Sequence, residues 1–199
     1  MWQSSSSAFT ASTSNTGNTF QAGSVSITDS DNGTTMFSLT NVAPGDTGST
    51  CMAVSYTGSL TPTAIRMYFA NAQESNGAVN SNTYAAWVNG SATSEMDAYL
   101  SLQIEVSSTD LVADPGGNFG SNYCAAVTNA SFANVVPSTL TQTLLNTYSS
   151  YASNLSAGWG TVTQNRWRIF RFSWSFSSAA TNSAQGDGLK FDVVWEAQR

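Results

Sequence analysis

The clearest regularity in this chain is a period of two. Leu100, Leu102, Ile104 and Val106 alternate with Ser101, Gln103 and Glu105, the pattern of a strand with one face in a core and one in water. The same alternation recurs in Ile65, Met67 and Phe69, in Phe170, Phe172, Trp174 and Phe176, and in Leu189, Phe191, Val193 and Trp195. Phe20, Val25 and Ile27 predict an earlier strand, and Asp29 to Gly33 predicts the turn after it. The stretch Phe37 to Tyr56 reads as strand, turn and strand. Phe37 and Leu39 alternate with Ser38 and Thr40, and Met52, Val54 and Tyr56 alternate with Cys51, Ala53 and Ser55. Between them Pro44-Gly45-Asp46 is a turn with a mechanism: Pro presets φ, Gly accepts φ > 0, and the Asp carboxylate accepts backbone N–H groups.

Other stretches are less regular. Ala70 to Glu95, rich in Asn, Ser and Gly, reads as a long connection in which Tyr84, Trp87 and Val88 anchor a short strand or cover the sheet. Trp167 and Ile169 have the opposite parity to the Phe170–Phe176 row, which predicts a bulge near Ile169. The two last strands, joined by a polar Ser177 to Gly188 connection, read as a hairpin. Ser138 to Leu155 is the one candidate helix: Leu140, Leu144, Tyr148, Tyr151 and Leu155 recur at spacings of three and four, with Ser138 or Thr139 as N-cap. Strands of this kind with turn signals between them predict an all-β fold, a jelly-roll-like β-sandwich with one or two short helices. Residues 1–18 form a polar N-terminal extended segment, and residues 19–199 form a single sandwich domain.

Composition narrows the function. Charged residues make up 9% of the chain, against about 25% in an average soluble protein. With 12% aromatic residues the chain is not disordered, so Ser, Thr and Asn stand in for charge on a folded surface. The net charge of −6 argues against nucleic acid. Arg166, Arg168 and Arg171 lie on one strand without a basic field around them, and pairing with neighbouring carboxylates is the favoured reading. No apolar run approaches a membrane span, and no signal-peptide core is present.

Two cysteines, Cys51 and Cys124, suggest one disulfide made outside the cytoplasm, favoured over two separate buried thiols. Absence of histidine removes the HExxH metal site, the Ser-His-Asp triad and the Cys-His dyad together, and two thiols cannot fill a four-thiolate zinc site. Nothing pairs any two of the 12 acidic residues as a glycosidase would, and Asp46, Asp97 and Asp110 read as turn residues. No enzymatic activity, cofactor or metal is expected. Asp29-Ser30-Asp31-Asn32-Gly33 resembles the start of a calcium loop, but the rest of an EF-hand is absent and a polar turn uses the same residue types. The sequons at Asn32, Asn89, Asn129 and Asn154 are expected by chance in such a composition.

Phe9, Thr13 to Phe20 (TSNTGNTF), Ala22-Gly23-Ser24-Val25 and the LTNVAPGD turn region resemble the TasA/camelysin-like exported proteins of Gram-positive bacteria, the group with the SipW-type signal peptide. Thr57-Gly58-Ser59-Leu60 and the closing Val194-Trp195-Glu196-Ala197-Gln198 are similar to the same subgroup. The resemblance implies an extracellular or cell-surface protein, in its mature form after signal-peptide removal. It further implies a structural subunit that associates with itself, head to tail, in matrix or biofilm fibres. The N-terminal segment of one subunit would add as a strand to the next, with Trp2, Ala8, Phe9 and Thr10 as the self-association residues and Phe9 as the side-chain anchor. The resemblance also admits camelysin-type protease activity, which conflicts with the missing histidine. The alternative is a monomeric surface module that binds carbohydrate, such as matrix polysaccharide, through Tyr84 to Trp87 or Trp159.

Overall fold

The computed structural model describes residues 10–13, 27–29, 42–76, 83–91, 95–114, 121–128, 131–184 and 186–198. In chain order the strands are β1 (Thr10–Thr13), β2 (Ile27–Asp29), β3 (Thr47–Tyr56), β4 (Ala64–Ser75), β5 (Ala85–Ala86), β6 (Leu100–Ser107), β7 (Phe132–Leu140), β8 (Leu155–Ser156), β9 (Arg166–Phe176) and β10 (Gly188–Gln198). Among the described residues three short α-helices interrupt them: α1 (Met96–Tyr99), α2 (Ser121–Ala125) and α3 (Thr141–Thr147).

The strands form two antiparallel sheets. One has the order β1-β10-β4, with β5 and β8 both pairing with β4; the other has the order β2-β3-β9-β6-β7. With the short β2 and β5 set aside, β1-β10-β4-β8 lies over β3-β9-β6-β7, the interleaved order of a jelly roll. Between the sheets the period-two rows meet as expected. Met52, Val54, Phe170, Phe172 and Ile104 come from one side, and Ile65, Met67, Phe69 and Trp195 from the other, all in one buried cluster.

The turn before β3 is built as its sequence dictates. Gly45 takes φ 95°, and Asp46 Oδ2 accepts the Ala43 N–H at 2.8 Å. Gly45 N–H donates to the Phe176 carbonyl at 2.9 Å, and Phe176 N–H donates to the Asp46 carbonyl at 2.8 Å, so the turn is docked on the end of β9. The expected strand at Phe37, most of the one from Phe20 and the loop at residues 30–33 lie outside the described residues.

Several expectations are corrected. β9 and β10 do not pair as a hairpin; they belong to different sheets. Each carries an aromatic row, and the rows are buried by facing one another: Trp195 meets Phe170 and Phe172 edge to face, with centroids 5.3 and 6.1 Å away. There is no bulge near Ile169, because β9 pairs with β3 and with β6 without a register shift. Trp167 and Ile169 point to the outer face of the sheet, where Cys51, Ala53, Tyr123 and Ile169 form a second buried cluster. β3 is therefore buried on both faces from Thr50 to Tyr56 rather than half-buried.

The irregular stretch after Phe69 begins later than expected, because β4 runs on to Ser75. A bulge lies within that extension: Asn71 and Ala72 oppose the single residue Phe191, and Asn71 takes φ 51°. The helix predicted over Ser138–Leu155 shrinks to Thr141–Thr147. Ser138 to Leu140 stay in β7, where Thr139 and Leu140 pair with Leu102 and Ser101, and neither Ser138 nor Thr139 caps the helix. β-branched and short polar residues hold a helix weakly, so strand pairing on one side and the turn after Thr147 on the other leave two turns of helix. Its Leu144 and Leu145 still reach the core.

Candidate functional site

Of the residues expected to mediate self-association, Trp2, Ala8 and Phe9 lie outside the described residues, and Thr10 opens β1. β1 forms the edge of its sheet and pairs antiparallel with β10: Thr10 with Gln198, Ala11 with Ala197, Ser12 with Glu196 and Thr13 with Trp195. In this chain the pairing is intramolecular. β10 is a fixed template for it, since its other edge runs along β4 from Gly188 to Gln198 and Trp195 is locked in the core.

The template also carries a polar lock. Glu196 is buried, accepts the Tyr68 hydroxyl at 3.0 Å through Oε2, and accepts Gln198 Nε2 at 2.6 Å through Oε1. Burial, the hydrogen bond and the charge of Glu196 together push the Tyr68 hydroxyl up to about 12. Glu196 thus ties β10 to β4 in the register that β1 reads.

A second feature is a cleft of about 310 Å³ beside the β4 bulge, lined by Phe69, Asn71, Trp87, Leu145, Asn146 and Ser149 among others. Trp87 Nε1 donates to the buried carboxylate of Asp97 at 2.8 Å, which fixes the ring. Asn71 Nδ2 donates to Asp192 Oδ2 at 2.7 Å. The lining combines apolar side chains with two amides and a hydroxyl, and no charged side chain is among the lining residues. The other aromatic residues expected to stack on sugars are placed elsewhere. Trp159 is 4% exposed within the core, and the Tyr84 ring is covered by the Lys190 ammonium at 3.6 Å.

Two of the three arginines on β9, Arg168 and Arg171, pair with carboxylates. Arg168 pairs with Asp110 and also donates to the Ser107 carbonyl. Arg171 pairs with Glu105 at 2.7 Å and lies over the Phe132 ring at 4.2 Å. One of the three expected turn carboxylates, Asp97, is corrected by this geometry, whereas Asp110 keeps its place in the loop after β6. Asp110 is the ion-pair partner, and Asp97 sits buried on α1 as the indole acceptor. Their partners, Arg168 and Trp87, are set by tertiary packing that local sequence does not encode.

Cys51 and Cys124 form a disulfide. Among the described residues, no three His, Cys, Asp or Glu side chains are grouped so as to hold a metal ion, and no helix is long and apolar enough to cross a membrane. The chain matches no family model and no curated protein.

Proposed function

We propose that this protein is a secreted structural subunit that assembles head to tail into extracellular filaments by exchange of its N-terminal strand. The observation that carries the reading is the position of β1, a four-residue edge strand that pairs with the C-terminal end of β10. A strand so placed makes backbone bonds that any copy of the same segment can make, so the pairs formed within one chain can equally form between two. Donation from each subunit to the next is heterologous and does not close, which gives filaments rather than dimers. The resemblance to TasA/camelysin-like proteins supports the same assignment, and the disulfide suits an oxidising, extracellular setting. The role is structural, and no catalytic step is assigned. The test is deletion of residues 1–14 followed by electron microscopy. Loss of filaments is expected, and filaments of unchanged abundance and form would defeat donor-strand assembly.

A second reading is favoured by the cleft at Trp87. A fixed indole in a cleft that also carries amide and hydroxyl groups, without charge, suits one ring of a neutral matrix polysaccharide. Titration with neutral oligosaccharides, followed by Trp fluorescence, distinguishes this module from a subunit that only self-associates.

A further inference from the structure

The chain between β6 and β7 leaves the sandwich and folds back over the outer face of β3 and β9, forming a cap on the second buried cluster. Its two described arms are attached differently. The first arm is tied by backbone. Leu111 N–H donates to the Trp167 carbonyl at 2.9 Å, Trp167 N–H returns a bond to the Leu111 carbonyl at 3.0 Å, and Asp110 pairs with Arg168. Ser107 Oγ adds a bond from the Ile169 N–H at 3.1 Å.

The second arm, Ser121–Thr128, contains the five-residue helix α2. A helix of that length does not hold together alone in water. Its covalent tie to the sheet is the bond from Cys124 to Cys51, and Tyr123 and Val127 pack around that bond against Ala53 and Ile169. The Tyr123 hydroxyl donates to Asp114 at 3.3 Å, a contact within the cap itself. Cys51 is fully buried on β3, whereas Cys124 is partly exposed.

We propose that Ser121–Thr128 is a redox clasp, seated over the second cluster when the Cys51–Cys124 bond is closed and released when it is reduced. Exposure sets the order of events. The thiolate of a dithiol reductant attacks the sulfur of Cys124, the more exposed of the two residues, and the S–S bond breaks with Cys51 leaving as a thiolate that takes up a proton. The reductant's second thiol then displaces Cys124 as a thiol, and the reductant departs as a disulfide, having given up two electrons. Release uncovers Ala53 and Ile169 and leaves the first arm on Trp167. The sandwich itself stays folded, because its core lies on the other face of the sheet. A chain kept reduced therefore carries an open apolar patch that seals only in an oxidising compartment.

Hydrogen exchange with dithiothreitol tests this. In the reduced protein, amides of Ser121–Thr128 should exchange at least about tenfold faster, while those of Leu111, Trp167 and Ile104 keep their oxidised-state rates. Unchanged exchange in Ser121–Thr128 would show that packing alone seats the arm and would overturn the clasp. A uniform rise across both sheets would overturn it too, since the arm would then not be a separate unit. The variant Cys124→Ser, measured without reductant, is expected to reproduce the released pattern.

Discussion

Phe170 and Trp195 meet edge to face, 5.3 Å between centroids, and they come from opposite sheets. The pair joins the two halves of the sandwich at its centre, where Trp195 is 1% exposed. Such a contact contributes about 0.5–1.5 kcal/mol beyond the area it buries. Trp195→Ala should lower stability by about 3–5 kcal/mol, and Trp195→Phe by clearly less, as read from urea unfolding.

Thr10 and Gln198 are directly paired across β1 and β10, which gives assembly a covalent readout. In the double variant Thr10→Cys, Gln198→Cys, oxidation of filaments should produce a ladder of linked multimers on a non-reducing gel. Oxidation of dispersed protein should produce only monomers with an internal bond. Filaments that yield monomers alone would place β1 on its own β10 in the polymer as well, and strand exchange would be excluded.

Gly158 takes φ +66°, and a Cβ there would lie 2.8 Å from Val106 Cγ1. Both the backbone conformation and the space exclude a side chain. Gly158→Ala is expected to cost about 1–3 kcal/mol, measured by thermal unfolding, because it strains the approach to buried Trp159.

Tyr68 gives a stability change at alkaline pH. Its hydroxyl is raised to about 12 in the folded protein, from 10.0 ordinarily. The unfolded chain therefore loses this proton first as pH rises. The stabilising contribution is complete below about pH 10 and disappears between about pH 10 and 12. Tyr68→Phe should flatten the fall in stability over that window in alkaline denaturation curves.

The inward faces of β6, β9 and β10 were legible because large apolar residues at every second position have no other way to be buried. Which strand pairs with which was not. Phe170 and Trp195 carry the same local pattern whether their strands lie side by side or face to face. Burial of Cys51 and Ala53 was also hidden, since small residues at alternate positions read as a solvent face and their cover, Tyr123, lies far along the chain. The end of β7 was misread because Thr and Leu serve strand and helix alike, and only pairing with Leu102 and Ser101 decides between them. Thr10 was expected on a strand added to a neighbouring subunit; it lies instead on β1, paired with β10 of its own chain, and nothing local marks β10 as its template.

The Cys51–Cys124 bond also sets how the protein bears load. It links residues 73 positions apart. When the chain is pulled from its two ends, force reaching Cys51 passes through the sulfur atoms to Cys124 and bypasses the residues between them. β4, β5 and β6 lie in that bypassed segment and cannot be drawn out while the bond is intact. About 240–260 Å of contour stays in reserve. A fibre of such subunits would stretch less under oxidising conditions than its chain length allows, and reduction would release the reserve.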